Sequence, residues 1–284
     1  INLMLSNNPF AELSASIPYA VMQYFIILMV IFVVGGTIFD MIHKKSAKYF
    51  FAKAEAAKAS RKREIDTGEK LGIAVQTALV DVATSGEFCN PMRRISHLFT
   101  MYGFILFLAN TVALVFAYTD NNAPAIVSTL WHVGALMVMF GGYWFWFFIR
   151  VDVSAEAKPW YKLARADLFI LSLLGTTTFG FLWSVALSSG AGFWSGLFLA
   201  LLLVSSVVLF GGVIWSKFAH MFFKPAAAFN KRMIKADGSR ENLPEIGDLT
   251  DPELLKKFPD IAEYLGTNAP NMGLGIKRER PQHY

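Results

Sequence analysis

Ile214-Trp-Ser-Lys217-Phe-Ala-His220-Met-Phe-Phe-Lys224-Pro225 closes a stretch, Leu168 to Ser216, that contains no Asp, Glu, Lys, Arg or His. A bilayer-spanning helix needs about 20 apolar residues. The stretch is therefore long enough for two helices, and Ser188-Ser-Gly-Ala-Gly192 supplies the turn between them. Upstream lie three more apolar runs: Leu13–Phe39, Ile95–Thr119 broken only by His97, and Asn121–Ile149 broken only by His132. Together these runs predict five spans, at Ile17–Phe39, His97–Tyr118, Ile126–Ile149, Asp167–Leu187 and Phe193–Phe218. The fold class expected is all-α, an integral membrane bundle of five transmembrane helices.

Composition agrees. Of the 284 residues 55% are hydrophobic and 17% charged, where soluble domains carry about 25% charged residues. One cysteine, Cys89, cannot by itself build a disulfide, a zinc cluster or an iron–sulfur cluster. A redox centre in this chain would have to use histidines or an organic cofactor. All 26 Lys and Arg fall in three segments, Lys44–Arg94, Arg150–Arg165 and Lys217–Arg280. With five spans, those segments share one side. Lys and Arg mark the cytoplasmic side, so the N-terminus is expected outside and the C-terminus in the cytoplasm. Leu13–Phe39 is too long, and the residues before it too uncharged, for a signal peptide, so it reads as a retained helix.

Two domains are expected: residues 1–224 as the transmembrane domain with a cytoplasmic helical loop at 44–94, and residues 225–284 as a cytoplasmic tail. Lys44–Ile65, rich in Ala, Lys, Glu and Arg, predicts a helix, either solvated or set against anionic lipid or an acidic partner. Leu71–Ala83 has one apolar stripe at helical spacing, suited to a membrane surface or to the underside of a partner subunit. The tail has little apolar content and one short helical candidate, Asp251–Leu265. It reads either as a drape over a partner or as disordered chain.

The histidines divide by depth. His97 opens the second span and His220 follows the fifth, on the same side. His132 lies on the order of 20 Å away in depth, from the helical rise of about 1.5 Å per residue. It cannot share an iron with either of them. His97 and His220 are thus the geometric candidates for bis-histidine ligation of one haem, with His43 in reserve. The alternative is ordinary interfacial histidines. His132 reads as a hydrogen-bonding or quinone-site residue, with Trp131 beside it. Arg150 with Asp152, and Arg165 with Asp167, flank spans three and four. They read as ion-paired helix ends or, together with Arg94, as contacts to haem propionates.

The motifs Leu79-Val-Asp81, Arg93-Arg94-Ile-Ser-His97-Leu-Phe-Thr-Met-Tyr-Gly103-Phe104 and Lys217-Phe-Ala-His220-Met-Phe-Phe-Lys224-Pro225 carry a family resemblance over residues 17–225. They resemble the cytochrome b (gamma) subunit of respiratory nitrate reductase. They are still more similar to its relatives in heterodisulfide reductase, in the sulfite-reductase-associated membrane complex and in the quinone-interacting complex that serves adenylylsulfate reductase. The resemblance implies bis-histidine haem b held by His97 and His220, and exchange of electrons with quinone. It also implies a cytoplasmic iron–sulfur or flavoprotein partner and residence in a prokaryotic cytoplasmic membrane. The nitrate reductase subunit carries a second histidine pair, whereas this chain has none around Phe107 and Leu202, so one haem is expected. No nucleic-acid partner is expected. The rival reading is a haem-free membrane anchor for a soluble reductase, similar to the anchors of dissimilatory adenylylsulfate reductase. A transporter ranks last, because the spans lack inverted-repeat signs and midplane charges.

Overall fold

The computed structural model describes residues 5–43, 46–86, 88, 90–119, 122–152, 156–216, 218, 220–239 and 251–257. These residues form helices α1 (Pro9–Leu13), α2 (Tyr19–His43), α3 (Ser46–Ala59), α4 (Thr67–Gln76, continuing π-wound through Thr77–Ala83) and α5 (Pro91–Val112, continuing through Ala117). After them come α6 (Ala125–Trp144, continuing through Ile149), α7 (Leu168–Ser188, led by a 3-10 turn at Arg165–Asp167), α8 (Gly192–Gly211, tightened at Gly212–Ile214), α9 (His220–Ala236) and α10 (Pro252–Lys257). There is no strand among the described residues. Five helices are long and apolar enough to cross a membrane: Tyr19–His43, Pro91–Ala117, Ala125–Ile149, Arg165–Ser188 and Gly192–Ile214. The chain is a multi-pass helical membrane protein.

Glycines decide how closely α5 and α6 approach. A Cβ on Gly134 would lie 2.5 Å from the Phe107 nitrogen, and one on Gly141 would lie 2.5 Å from the Ser96 carbonyl oxygen. Small residues at a membrane helix crossing let the backbones touch, so that dispersion and interhelical hydrogen bonds drive association. Ser96 Oγ donates to Gly141 O across this seam at 2.8 Å. Gly134→Val is therefore expected to force the helices apart. The cost should sit at or above the top of the range of about 1–3 kcal/mol for overpacking, because backbone atoms rather than flexible side-chain tips stand in the way. Thermal unfolding of the purified variant in detergent, compared with Gly134→Ala, measures it.

The five spans enclose two core clusters. One gathers Phe107, Leu114, Trp131 and Trp183, and α1 closes it by wedging Phe10 between the two indoles at 5.7 and 5.4 Å. The other gathers Phe104, Val138, Leu173, Leu209, Val213 and Phe218 toward the basic ends of the helices. α2 lies at the edge of the bundle, with Gly36 set against Val213.

Two expected boundaries shift. The fifth span ends at Ile214 rather than Phe218. The adjacent Gly211 and Gly212 lower helix propensity by about 1 kcal/mol each, and the chain tightens and turns there, with Trp215 N donating to Gly212 O at 3.0 Å. The expected domain boundary at Pro225 falls inside α9. Proline ends many helices, but here it sits one turn in and forfeits a single intrahelical bond. Folded structure therefore continues to Ser239, and α9 packs on the loop between spans one and two. Arg232 grips Asp81 with two hydrogen bonds, 2.5 and 2.9 Å. Asp237 O accepts from Lys62 N at 3.0 Å, and Ala236 O accepts from Arg63 Nε at 2.7 Å. The helix expected over Asp251–Leu265 is present over Pro252–Lys257, and residues beyond 257 lie outside the described set.

The Asp81–Arg232 pair makes this junction sensitive to acid. The hydrogen bond from the Arg232 guanidinium holds the Asp81 carboxyl below its ordinary range, against the opposing effect of burial. A carboxyl depressed in the folded state binds its proton more readily when released, so its contribution is present above the ordinary value of about 3.9. That contribution is lost as pH falls through the depressed value. Protection of the amides of residues 220–236, taken relative to the unstructured exchange rate at the same pH, is therefore expected to fall below about pH 4, and in Asp81→Asn to be low already at neutral pH.

Candidate functional site

Four segments meet at the basic end of the bundle: the turn after α4, the first turns of α5, the start of α7 and the start of α9. The position of His97 follows from the cap of α5. Asn90 Oδ1 accepts from the Met92 and Arg93 nitrogens at 2.9 and 3.2 Å, and Pro91 fills the first helical position. Side-chain oxygens at the cap satisfy otherwise orphaned amides, and Pro at N1 gives up an N–H that had no partner there. The helix is thus anchored close before His97.

The Nδ1 of His97 meets the hydroxyl of Ser85 at 3.0 Å. Ser85 is buried and has φ of +50°, the left-handed turn that ends the π-wound part of α4. Glycine takes this conformation most readily, and Gly86 follows immediately. The serine at this position adds a hydroxyl to the turn and aims it at the imidazole. The Phe88 ring lies 4.9 Å from that imidazole, with Arg93 and Lys224 each 5.8 Å from the phenyl centroid. Arg93 pairs with Glu156 at 3.0 Å.

His220 opens α9 and meets Phe169, of the first turn of α7, edge-on at 5.5 Å. Phe169 in turn packs on Phe218 at 5.6 Å. His220, Lys224 and Arg93 all lie within electrostatic range of His97. The structure thus brings His97 and His220 into one neighbourhood, although they are far apart in sequence. His220 enters it at the head of a new helix, not at the tail of span five.

The other candidate residues fall elsewhere or are occupied. Arg150 is fully buried at the end of α6. Its guanidinium donates to Pro159 O at 2.8 Å, to Lys162 O at 2.7 Å and to Asp167 Oδ2 at 2.6 Å, and lies 4.1 Å over the Trp146 ring. An ion pair thus runs from Arg150 to Asp167, across the two Arg-x-Asp triplets. Residues two apart on a helix do not face one another, and the loop from 150 to 167 folds back to close the clamp. Arg94 Nε donates to Thr84 O at 2.7 Å. Arg165 is exposed. His43 ends α2, exposed and stacked on Phe39 at 5.3 Å.

His132 is buried in the opposite core cluster. Its Nδ1 meets Ser128 O at 2.7 Å and its Nε2 meets Ser184 Oγ at 2.8 Å. Trp131 Nε1 donates to Thr111 Oγ1 at 2.8 Å. Gly134 abuts Phe107 and Gly141 abuts Ser96 across the antiparallel seam. His132 therefore stands level with Ala109, roughly 18 Å along α5 from His97 at 1.5 Å per residue.

No family model, curated protein or solved structure matches this chain. Ser85, Phe88 and the Asp81–Arg232 tie are the members of this region that sequence reasoning did not single out for a role. The one signal for Ser85 was a serine directly before a glycine at a helix end.

Proposed function

We propose that this chain is the membrane subunit of a respiratory oxidoreductase complex. In this reading one haem b is held by His97 and His220 at the basic end of the bundle. Electrons pass between the quinone pool and an iron–sulfur or flavoprotein subunit docked on the cytoplasmic face. The observation that supports it is the shared neighbourhood of His97 and His220, together with the Ser85 hydroxyl on His97 Nδ1. A ligating histidine ordinarily has its second ring nitrogen hydrogen-bonded, which fixes ring orientation and tautomer. With Nδ1 engaged, Nε2 is the atom left to meet iron. The bound haem would supply one-electron transfer, at a potential set by its two axial ligands and its burial.

The chain's own residues do the positioning. Asn90 and Pro91 fix the start of α5, Ser85 orients the His97 ring, and the tie between Arg232 and Asp81 sets α9 against the α4 turn. Phe169, Phe218 and Phe88 keep the corner apolar, while Arg93 and Lys224 bring positive charge to its rim. The propionate role of Arg150 is set aside, since its Nη atoms already donate to Asp167 and two carbonyls. No quinone role is given to His132 or Trp131, whose ring nitrogens are bonded inside the bundle.

An absorption spectrum of the purified chain, expressed with haem available, tests the reading. A reduced b-type alpha band is expected. A protein with no Soret band overturns the haem reading in favour of a haem-free anchor. The orientation follows from the distribution of Lys and Arg, so a reporter fused after Tyr284 is expected to be active only when it functions in the cytoplasm.

A further inference from the structure

The outer face of α4 is apolar and uncovered. Leu71, Val75 and Leu79 recur at four-residue spacing and are 66%, 49% and 59% exposed. The opposite face of the helix holds buried Thr77, and Asp81 on that side pairs with Arg232 of α9. α4 is therefore an amphipathic helix whose apolar stripe points away from the folded body.

Its C-terminal end is fixed in depth. The hydroxyl of Tyr102, an exposed residue of the second span, donates to Ala83 O at 2.7 Å, and Arg94 Nε caps Thr84 O at 2.7 Å. The second span covers Pro91–Ala117, 27 residues. At about 1.5 Å per residue it is longer than the roughly 30 Å of hydrocarbon, so its first turns rise out of the apolar layer. Tyr102 lies about 16 Å along the helix from Pro91, so its Cα sits at least about 6 Å inside the hydrocarbon, and its hydroxyl reaches back to Ala83 O toward the boundary, the depth at which tyrosine hydroxyls gather. The end of α4 is bonded to that hydroxyl. Ile95 and Phe99 continue the exposed apolar surface along α5 toward it. At the other end of α4, Arg61, Lys62 and Lys70 are exposed, interspersed with exposed Glu64 and Asp66, and Arg61 stands 3.9 Å from Asp237.

We infer that α4 is an interfacial helix, lying at the basic-side surface of the bilayer with Leu71, Val75 and Leu79 among the acyl chains and the flanking Lys and Arg among anionic headgroups. An amphipathic helix lies in a lipid surface by burying its apolar face, and exposed Lys or Arg beside it add attraction to anionic headgroups. Continuity of the stripe with the lipid-facing side of the second span selects lipid over a protein partner as its occupant. The consequence is that the π-wound turn, Asp81 and Ser85 are held from the lipid side as well as by α9.

The test is spin labelling of the full-length chain in a Cys89→Ser background, with Leu71→Cys, Val75→Cys and Leu79→Cys as separate variants and Gln76→Cys as the water-facing control. Each is reconstituted into vesicles of phosphatidylethanolamine and phosphatidylglycerol and measured again in native membrane vesicles. Collisions with oxygen, relative to a water-soluble nickel chelate, are expected to be several-fold higher at the three stripe positions than at Gln76. Stripe labels that favour the nickel reagent overturn the inference. So do labels shielded from both reagents in native membranes but not in the reconstituted chain, because a protein then covers the stripe. All three sites are exposed, so no substitution removes a core contact. The readout does not depend on haem, and the inference stands or falls separately from the proposed electron-transfer role.

Discussion

Replacing either His97 or His220 with alanine is expected to abolish the sharp low-spin alpha band of this protein, leaving a folded five-helix chain. Both side chains are partly exposed at the basic end, so their loss opens no large cavity in either core cluster. Two ligands of one iron act as a unit, and removal of one leaves a site that cannot be low-spin bis-histidine. His43→Ala and His132→Ala are expected to leave the alpha band in place: His43 stacks on its own helix, and His132 lies at the far level of the bundle. Ser85→Ala is the informative intermediate. It removes the hydrogen bond to Nδ1 but not the ligand, so the band should persist while the midpoint potential moves and the low-spin resonance broadens. Size-exclusion profiles identical to wild type separate ligand loss from misfolding. A band that survives both single alanine variants refutes the assigned ligand pair.

The second large effect is structural. Asp167→Ala strips the counter-charge from a guanidinium with no solvent exposure. Breaking a buried ion pair from one side costs about 3–5 kcal/mol, because the remaining charge is left uncompensated. Asp167 Oδ2 also accepts from Ala164 N at 2.8 Å, so the turn leading into α7 loosens as well. The double variant Arg150→Met, Asp167→Leu should recover part of the loss, since an apolar pair can replace a buried ionic one. Recovery should be incomplete, because Pro159 O and Lys162 O lose the donors that tie the loop to the end of α6. Thermal unfolding of the three variants in one detergent measures the order. Haem retained by Asp167→Ala at low temperature would confirm that this clamp holds the helix ends and not the cofactor.

The spans were legible because hydropathy sums over some 20 residues, and no single side chain can reverse it. Tyr19–His43 and Ala125–Ile149 accordingly lie within a few residues of expectation. The end of the fifth span was less legible: Val213 and Ile214 are as apolar as what precedes them, and the helix stops for a conformational reason, the paired glycines. The pairing of Arg150 with Asp167 was invisible for another reason. Each arginine has an aspartate two positions on, and only the path of the loop decides which carboxylate it meets. Ser85 and His97 are twelve residues apart, Asp81 and Arg232 far more. No local periodicity reports such contacts. They arise because a left-handed turn and an amphipathic helix happen to meet beneath the bundle.

That meeting has a consequence for biosynthesis. His97 on α5, and Ser85 in the turn before it, leave the ribosome early, whereas α9 is made only after three more spans. At about 5–20 residues per second, the chain between His97 and His220 takes on the order of ten seconds to synthesise. Throughout that interval Asp81 has no Arg232 to hold it, and the corner beside His97 stands open on one side. The last helix to emerge closes the first-built half of the corner, so its completion reports that every span has been inserted.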